Sequence, residues 1–328
     1  MLVAPRERKF IISFKKFRRI LMDRKDFLKK MGIGMAGSFF LASQTSGLKA
    51  KSTDSKNDLF FKISLAEWSY HKTLFAGKMK NLDFPVKARE EFGIDAVEYV
   101  NQFFKDKAKD KTYLKSLNKR ADDHGVNNVL IMIDGEGDLG VTDSKERKQA
   151  VDNHHKWVDA AAYLGCFAIR VNARGKGTPQ EVADAAVQSL NELTEYAAPR
   201  NINIIVENHG GYSSNGQWMA SVMKRVNNPH CGTLPDLGNF DISETETYNR
   251  YKGVREMMPF AKDVSAKTYD FDDEGNETTI DYRRMLKIVK DAGYRDYLGI
   301  EYEGDRLSEP EGIRASLNLL KRVGAELS

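Results

Sequence analysis

The stretch Ile204-Ile205-Val206-Glu207-Asn208-His209-Gly210-Gly211 is an apolar run that stops at a carboxylate, an amide and an imidazole, followed by two glycines. Its first half reads as a buried strand. A charge at the end of such a strand is costly unless it is paired or bound to metal, so the question is whether other strands end the same way. Short β-rich runs recur at residues 61–68, 95–100, 127–134, 167–173, 202–208, 231–237, 263–270 and 297–304. Their starts lie roughly 34 residues apart, the length of one strand plus one helix.

Between these runs the apolar spacing becomes helical, as at 150–164 and 181–198. The second of these segments is introduced by Thr178-Pro179, an N-cap followed by proline in the first turn. Gly93, Gly125, Gly165 and Gly293 stand before strands, where a residue of positive φ lets the chain turn back. Eight strand–helix units predict an α/β fold, a single-domain (β/α)8 TIM barrel over residues 58–328. An open doubly wound sheet is the alternative, but it calls for a glycine-rich phosphate loop after the first strand, and FKISLAEWSYH (61–71) has none.

The 328-residue chain is 41% hydrophobic and 30% charged, which fits a globular body and argues against disorder. Of its formal charge of +4, residues 1–51 contribute +10 (13 Lys and Arg against 3 Asp and Glu), leaving −6 for residues 52–328. A mildly acidic body lacks the basic footprint of a nucleic-acid binder. Cys166 and Cys231 have no metal-ligand spacing and read as small buried hydrophobes.

The basic, then glycine-rich and moderately apolar stretch MDRKDFLKKMGIGMAGSFFLAS (22–43) is too short to span a bilayer and reads as an export signal. Arg24-Lys25-Asp26-Phe27-Leu28-Lys29 resembles a twin-arginine signal with lysine in place of the second arginine. Residues 22–57 are therefore expected to be signal peptide and linker, residues 1–21 an upstream extension from start-codon choice, and the mature protein periplasmic, with no stable membrane span. An uncleaved basic anchor is the other reading of the leader.

In a TIM barrel the chemistry sits at the carboxyl ends of the strands. Those ends carry Trp68 and His71, Glu98, Asp134, Arg170 and Asn172, Glu207 and His209, Asp236 and Asn239, Ser265, Lys267 and Asp270, and Glu301 and Glu303. Glu207, Asp236 and Glu301 follow apolar residues in the fifth, sixth and eighth runs. Either they form separate ion pairs with lysines, or they converge on a divalent cation that relieves their repulsion. Oxygen ligands favour Mn²⁺ or Mg²⁺, and a histidine would admit Zn²⁺ or Co²⁺. Lys267 is either an electrophile or base in the site, or the ion-pair partner of Asp236 or Glu301. Arg170 either orients substrate or bridges to Glu98. Trp68, Tyr70, Tyr99, Phe103, Tyr212, Trp218, Tyr269 and Phe271 lie near strand ends, where aromatic rings serve equally as ligand platforms or as core.

The motifs ISLAEWSYH (63–71), IDAVEY (94–99), IIVENHGG (204–211), LPDLGNF (234–240), VSAKTYDFD (264–272) and GIEYEG (299–304) resemble the xylose isomerase-like sugar phosphate isomerase/epimerase family over residues 60–325. The resemblance implies one divalent metal held by Glu207, Asp236 and Glu301, with Ser265 standing where the family has a histidine ligand. His209 is the candidate replacement, on the same side as Glu207 if the strand stays extended. It also implies catalytic roles for Glu207, Glu301 and Lys267, and sugar contacts from Trp68, His71, Glu98, Arg170, Asn239 and Tyr269.

The expected activity is metal-dependent isomerisation or epimerisation of a small-molecule sugar by proton transfer beside a carbonyl, through an ene-diolate. A lyase or hydratase acting on 3-keto sugars or glycosides is the first alternative, and export, where phosphorylated sugars are scarce, favours it. A carbohydrate-binding barrel without catalysis is the second. No nucleic-acid partner is expected, and self-association into a homo-oligomer is left open.

Overall fold

The computed structural model describes residues 59–328; the expected extension, signal and linker lie outside the described residues. Eight parallel strands alternate with helices: β1 (Lys62–Ala66), β2 (Ala96–Val100), β3 (Asn127–Met132), β4 (Ala168–Val171), β5 (Asn203–Glu207), β6 (Cys231–Leu234), β7 (Val264–Thr268) and β8 (Tyr297–Tyr302). They pair in the order β6-β5-β4-β3-β2-β1-β8-β7. The remaining seam, between β6 and β7, is held by isolated parallel bridges, Thr233 with Ala261 and Asp236 with Ser265. Pro235 lies between those bridges and has no N–H to donate, so a continuous ladder cannot form there. Its carbonyl still accepts from Ser265 N at 3.0 Å, and Leu237 N donates to Ser265 O at 3.0 Å. This seam sets Asp236 beside Ser265.

The (β/α)8 barrel expected from the sequence is therefore the observed fold. Its outer helices are Phe84–Phe92, Lys111–Asp123, Ser144–Leu164, Pro179–Ala197, Gly216–Val226, Arg250–Met257, Tyr282–Asp291 and Glu309–Leu327. Thr178 and Glu181 form a capping box ahead of Pro179. Gly93, Gly125, Gly165 and Gly293 all have positive φ, between 63° and 80°, as their positions before strands require. Among the described residues, no helix is long and apolar enough to cross a membrane.

Two apolar layers hold the fold. The larger lies between sheet and helices and includes Tyr99, Trp157, Ile204, Val206 and Leu320. The smaller fills the barrel interior with Ala66, Ala96, Leu130, Met132, Ala168, Ile205 and Leu234. By the two-residue alternation of strands, Ala168, Ile205 and Leu234 share faces with Arg170, Glu207 and Asp236. The site is thus the polar top of a column that is apolar on the β3–β6 side.

Toward β7 and β8 that interior turns polar. Ser64, Gly299 and Ser265 lie level across β1, β8 and β7, and the buried Glu98 carboxyl accepts a hydrogen bond from Ser64 Oγ. A Cβ on Gly299 would stand 2.2 Å from Glu98 Oε1 and 2.6 Å from its Cδ. Gly299→Ala is expected to cost about 1–3 kcal/mol through this overpacking. Thermal unfolding checks it; a Tm equal to that of the parent chain would show that Glu98 has room to move.

Candidate active site at the barrel mouth

Three carboxylates meet where β5, β6 and β8 end. Glu207, Asp236 and Glu301 each bring one oxygen within 4.8 Å of the others, and all three are buried. Asp236 Oδ1 accepts from the backbone N–H groups of Gly238 at 2.7 Å and Asn239 at 2.8 Å. Its Oδ2 lies 2.8 Å from Ser265 Oγ, which is also 2.8 Å from Glu301 Oε2. One hydroxyl carries one hydrogen and cannot donate to both. The second contact is a hydrogen bond only when one of the two carboxyls holds a proton.

The charges around the cluster say which. Lys267 Nζ sits 2.7 Å from Glu301 Oε1, 3.5 Å from Asp236 Oδ2 and 3.2 Å from Glu303 Oε2. Burial opposes ionisation of Glu301, but Lys267 outweighs it, aided by Arg170 and Ser265, and holds the carboxyl below its usual range. Burial pushes Asp236 up to about 7 against the opposing pull of Lys267. Of the two carboxyls that share the Ser265 hydroxyl, Asp236 is therefore the one that takes up a proton more readily. Burial, opposed chiefly by Arg170, likewise raises Glu207 to about 7.

Arg170 reaches the site from β4. Its Nε is 2.8 Å from Glu207 Oε2, and its Nη1 is 2.8 Å from Asp134 Oδ1. The Glu207 contact is close, yet the N–H is not aimed along it, and both Arg170 Nε and Glu207 Oε2 remain without a hydrogen-bond partner. An expected bridge from Arg170 to Glu98 does not form. β4 lies between β3 and β5, so its arginine meets Asp134 and Glu207, whereas Glu98 is on β2 with β3 between them.

His209 is not gathered with the three carboxylates. β5 ends at Glu207, so the alternation that would align residue 209 with residue 207 stops too early. Its Nδ1 meets Asn172 Oδ1 at 3.0 Å. Burial, reinforced by Arg170 and Arg174, lowers the imidazole to about 4 and keeps it neutral.

Of the other expected residues, Asn239 Nδ2 donates to Glu207 Oε1 at 3.1 Å. Tyr269 packs beside the site; a Cβ on Gly238 would stand 2.7 Å from its hydroxyl. Glu98 lies buried inside the barrel, held by Ser64. Trp68 Nε1 donates to Glu303 Oε1, and His71 stacks on the Trp68 ring with its Nδ1 2.8 Å from the Trp68 carbonyl. Tyr99 and Trp218, by contrast, are core side chains: the Tyr99 hydroxyl donates to Asn128 and the Trp218 indole to the Pro179 carbonyl.

Sequence reasoning gave no role to Asn208, which is fully buried and ties β5 to β6. Its Nδ2 donates to Asp236 O at 2.9 Å and Asn239 O at 2.7 Å, and its Oδ1 accepts from Asp236 N at 2.7 Å. The available signal was an amide placed between two candidate site residues in the opening stretch.

A (β/α)8 barrel with an arginine, a lysine and three carboxylates converging at its mouth defines a barrel with an enzyme-type polar centre. The chain belongs to the xylose isomerase-like TIM barrel family, whose model matches residues 86–323. It is 39% identical over 54 residues to the C-glycoside deglycosidase alpha subunit of Arthrobacter globiformis, a stretch that covers 16% of this chain and only 15% of that relative. Among solved structures, 3-keto-D-glucoside 4-epimerase from E. coli superposes with a TM-score of 0.58 at 13% identity, covering 80% of this chain and 99% of that one. The IOLI protein with a zinc atom superposes with a TM-score of 0.63 at 16% identity, covering 81% and 98%. These likenesses to solved structures are likenesses of fold.

Proposed function

We propose that this barrel moves a proton at the carbon beside a carbonyl of a sugar, and so acts as an isomerase or epimerase. The observation that carries the reading is the convergence of Glu207, Asp236 and Glu301 within 4.8 Å at the barrel mouth. Glu207 Oε2 meets Arg170 Nε at 2.8 Å without an aligned hydrogen bond, and three buried carboxylates this close together are a donor set that fits a divalent cation. The three carboxylates would hold one divalent ion, for which Mn²⁺ or Mg²⁺ suits the oxygen donors best. When bound, the ion supplies Lewis-acid stabilisation of the charge that develops on the carbonyl oxygen.

The remaining steps belong to the chain's own groups. Glu207, with a proton affinity near neutrality, accepts the proton from the carbon. Arg170 holds that carboxylate in place from the β4 side. Glu301 reaches the site from β8, three strands away around the barrel, and with Lys267 at 2.7 Å forms the second proton-handling pair. Two such groups on different sides of a sugar ring suit epimerisation. Environments that push two carboxyls in opposite directions are how one site supplies both an acid and a base.

The local likeness to a C-glycoside deglycosidase subunit supports a second reading, elimination from a 3-keto glycoside. It begins with the same proton removal; the electron pair then expels the neighbouring substituent, which takes a proton as it leaves. The expected export of the chain suits either reaction on a sugar that carries no phosphate.

The test is incubation with free and 3-keto sugars in D₂O, with and without EDTA. Deuterium is expected at the carbon beside the carbonyl, lost with EDTA and restored by Mn²⁺, and release or retention of the substituent separates elimination from epimerisation. Exchange or product formation that is indifferent to EDTA would overturn the metal-dependent proposal. Purified protein that neither binds nor responds to a divalent ion would favour a binding barrel.

A further inference from the structure

Beside the carboxylates the mouth carries a patch that proton transfer on a sugar ring does not use. Trp68 and Phe103, from the loops after β1 and β2, pack on the apolar interior cluster of the barrel. The ring centroids of Trp68 and Phe103 are 6.0 Å apart, those of Trp68 and Phe75 5.9 Å, and those of Phe75 and Phe103 5.1 Å. Phe75 ends the short helix His71–Phe75 and is 59% exposed, one of two large hydrophobic residues on the described surface that are so exposed. A phenylalanine left in water beside two other rings is a surface that a partner would cover.

The patch is wired to the reacting groups. Trp68 Nε1 donates to Glu303 Oε1, Glu303 Oε2 meets Lys267 Nζ at 3.2 Å, and Lys267 meets Glu301 at 2.7 Å. The Trp68 ring therefore has one edge on Glu303, which Lys267 joins to the carboxylate cluster, and its neighbours on the rim. Beyond it, a cavity of about 380 Å³ opens among Leu74, Phe75, Met79, Gln102, Phe103 and Tyr113. That volume is large enough for a ring-sized group.

We infer that Trp68, Phe75 and Phe103 form a subsite for the group attached to the sugar, and that the substrate is a keto glycoside, its ring ketone supplying the carbonyl that proton transfer needs, with a planar apolar aglycone, rather than a free monosaccharide. The inference rests on the reading of the carboxylate cluster as a sugar site and adds the substrate class. A monosaccharide over the carboxylates would leave the Phe75 ring in water beside the half-buried Trp68 and Phe103. A substituent reaching outward from that sugar meets Trp68 first and Phe75 last, and slots between faces and edges that aromatic groups favour.

Calorimetric titration of the full chain with phenyl β-D-glucopyranoside and with methyl β-D-glucopyranoside tests this, because the two probes share the sugar and differ in the aglycone. The phenyl glucoside is expected to bind roughly five- to tenfold more tightly. Phe75→Ala, a change at an exposed side chain, should bring the two affinities to within about twofold while leaving the methyl glucoside unaffected, and Phe75→Trp should restore the preference. Equal affinities in the parent chain, or a preference that survives Phe75→Ala, would overturn the inference. So would sedimentation showing a dimer that Phe75→Ala dissociates with the preference intact, since a second copy would then be the occupant. Absence of deuterium exchange would count against the proton-transfer reading alone, because the titrations do not depend on turnover.

Discussion

Glu207→Gln is expected to lower the rate of solvent deuterium incorporation by about 10²–10⁴, the usual contribution of a positioned general base. Glutamine has the shape of glutamate but takes up no proton at neutral pH. The substitution should remove the chemistry without removing the fold, for two reasons. Arg170 keeps its 2.8 Å contact with Asp134, so no buried guanidinium is left without a counter-charge, the situation that makes breaking buried ion pairs so costly. Asn239, which now donates to Glu207 Oε1, can donate to the amide oxygen instead. Thermal unfolding beside the exchange assay separates the two effects. Exchange at the parental rate with a normal Tm would show that another group takes the proton, and Glu301 is the one placed to do so.

Much of this site is legible in the sequence. The eight strand–helix units follow from periodicity and from glycines placed where positive φ is needed. Three carboxylates at the ends of apolar runs could be selected because burying them without a purpose is expensive. The partners of the charges were not legible. Whether Arg170 meets Glu98 or Glu207 depends on which strands are neighbours, and only the sheet order decides it. His209 would share a side with Glu207 only if the strand stayed extended as far as residue 209, and it ends at Glu207. Asn208 ends that continuation, turning its side chain across to the backbone of Asp236 and Asn239. Ser265 was recognisable as a substitution for a family histidine, but its shared contact with Asp236 and Glu301 requires the Pro235 seam that sets the β6 end against β7. Phe75 gave no signal at all, because its exposure is a property of the assembled mouth.

The shared hydroxyl leads to the other large effect. If Asp236 holds a proton against Ser265, and burial also raises Glu207, a divalent ion entering the cluster must displace protons from its own ligands. Affinity for Mn²⁺ should therefore climb with pH through neutrality, by about tenfold per pH unit for each proton displaced, and level off once both carboxyls are ionised. The sign is fixed by the direction of the shifts: groups raised above the ordinary carboxylate range compete with the cation at pH 6, and carboxylates at their usual values would not. Because the two groups sense one another, the proton count belongs to the cluster rather than to either residue. Titration calorimetry in two buffers of different ionisation enthalpy reads that count directly, and at least one proton should be released per ion at pH 6.5. His209→Ala should leave affinity within about twofold of the parent, since that imidazole faces Asn172 rather than the carboxylates. Affinity that is flat with pH, with no proton release, would mean that the carboxylates stand ionised before the metal arrives, their charge carried by Lys267 and Arg170 alone. A collapse in His209→Ala would instead show that the loop after β5 rearranges to bring the histidine onto the ion.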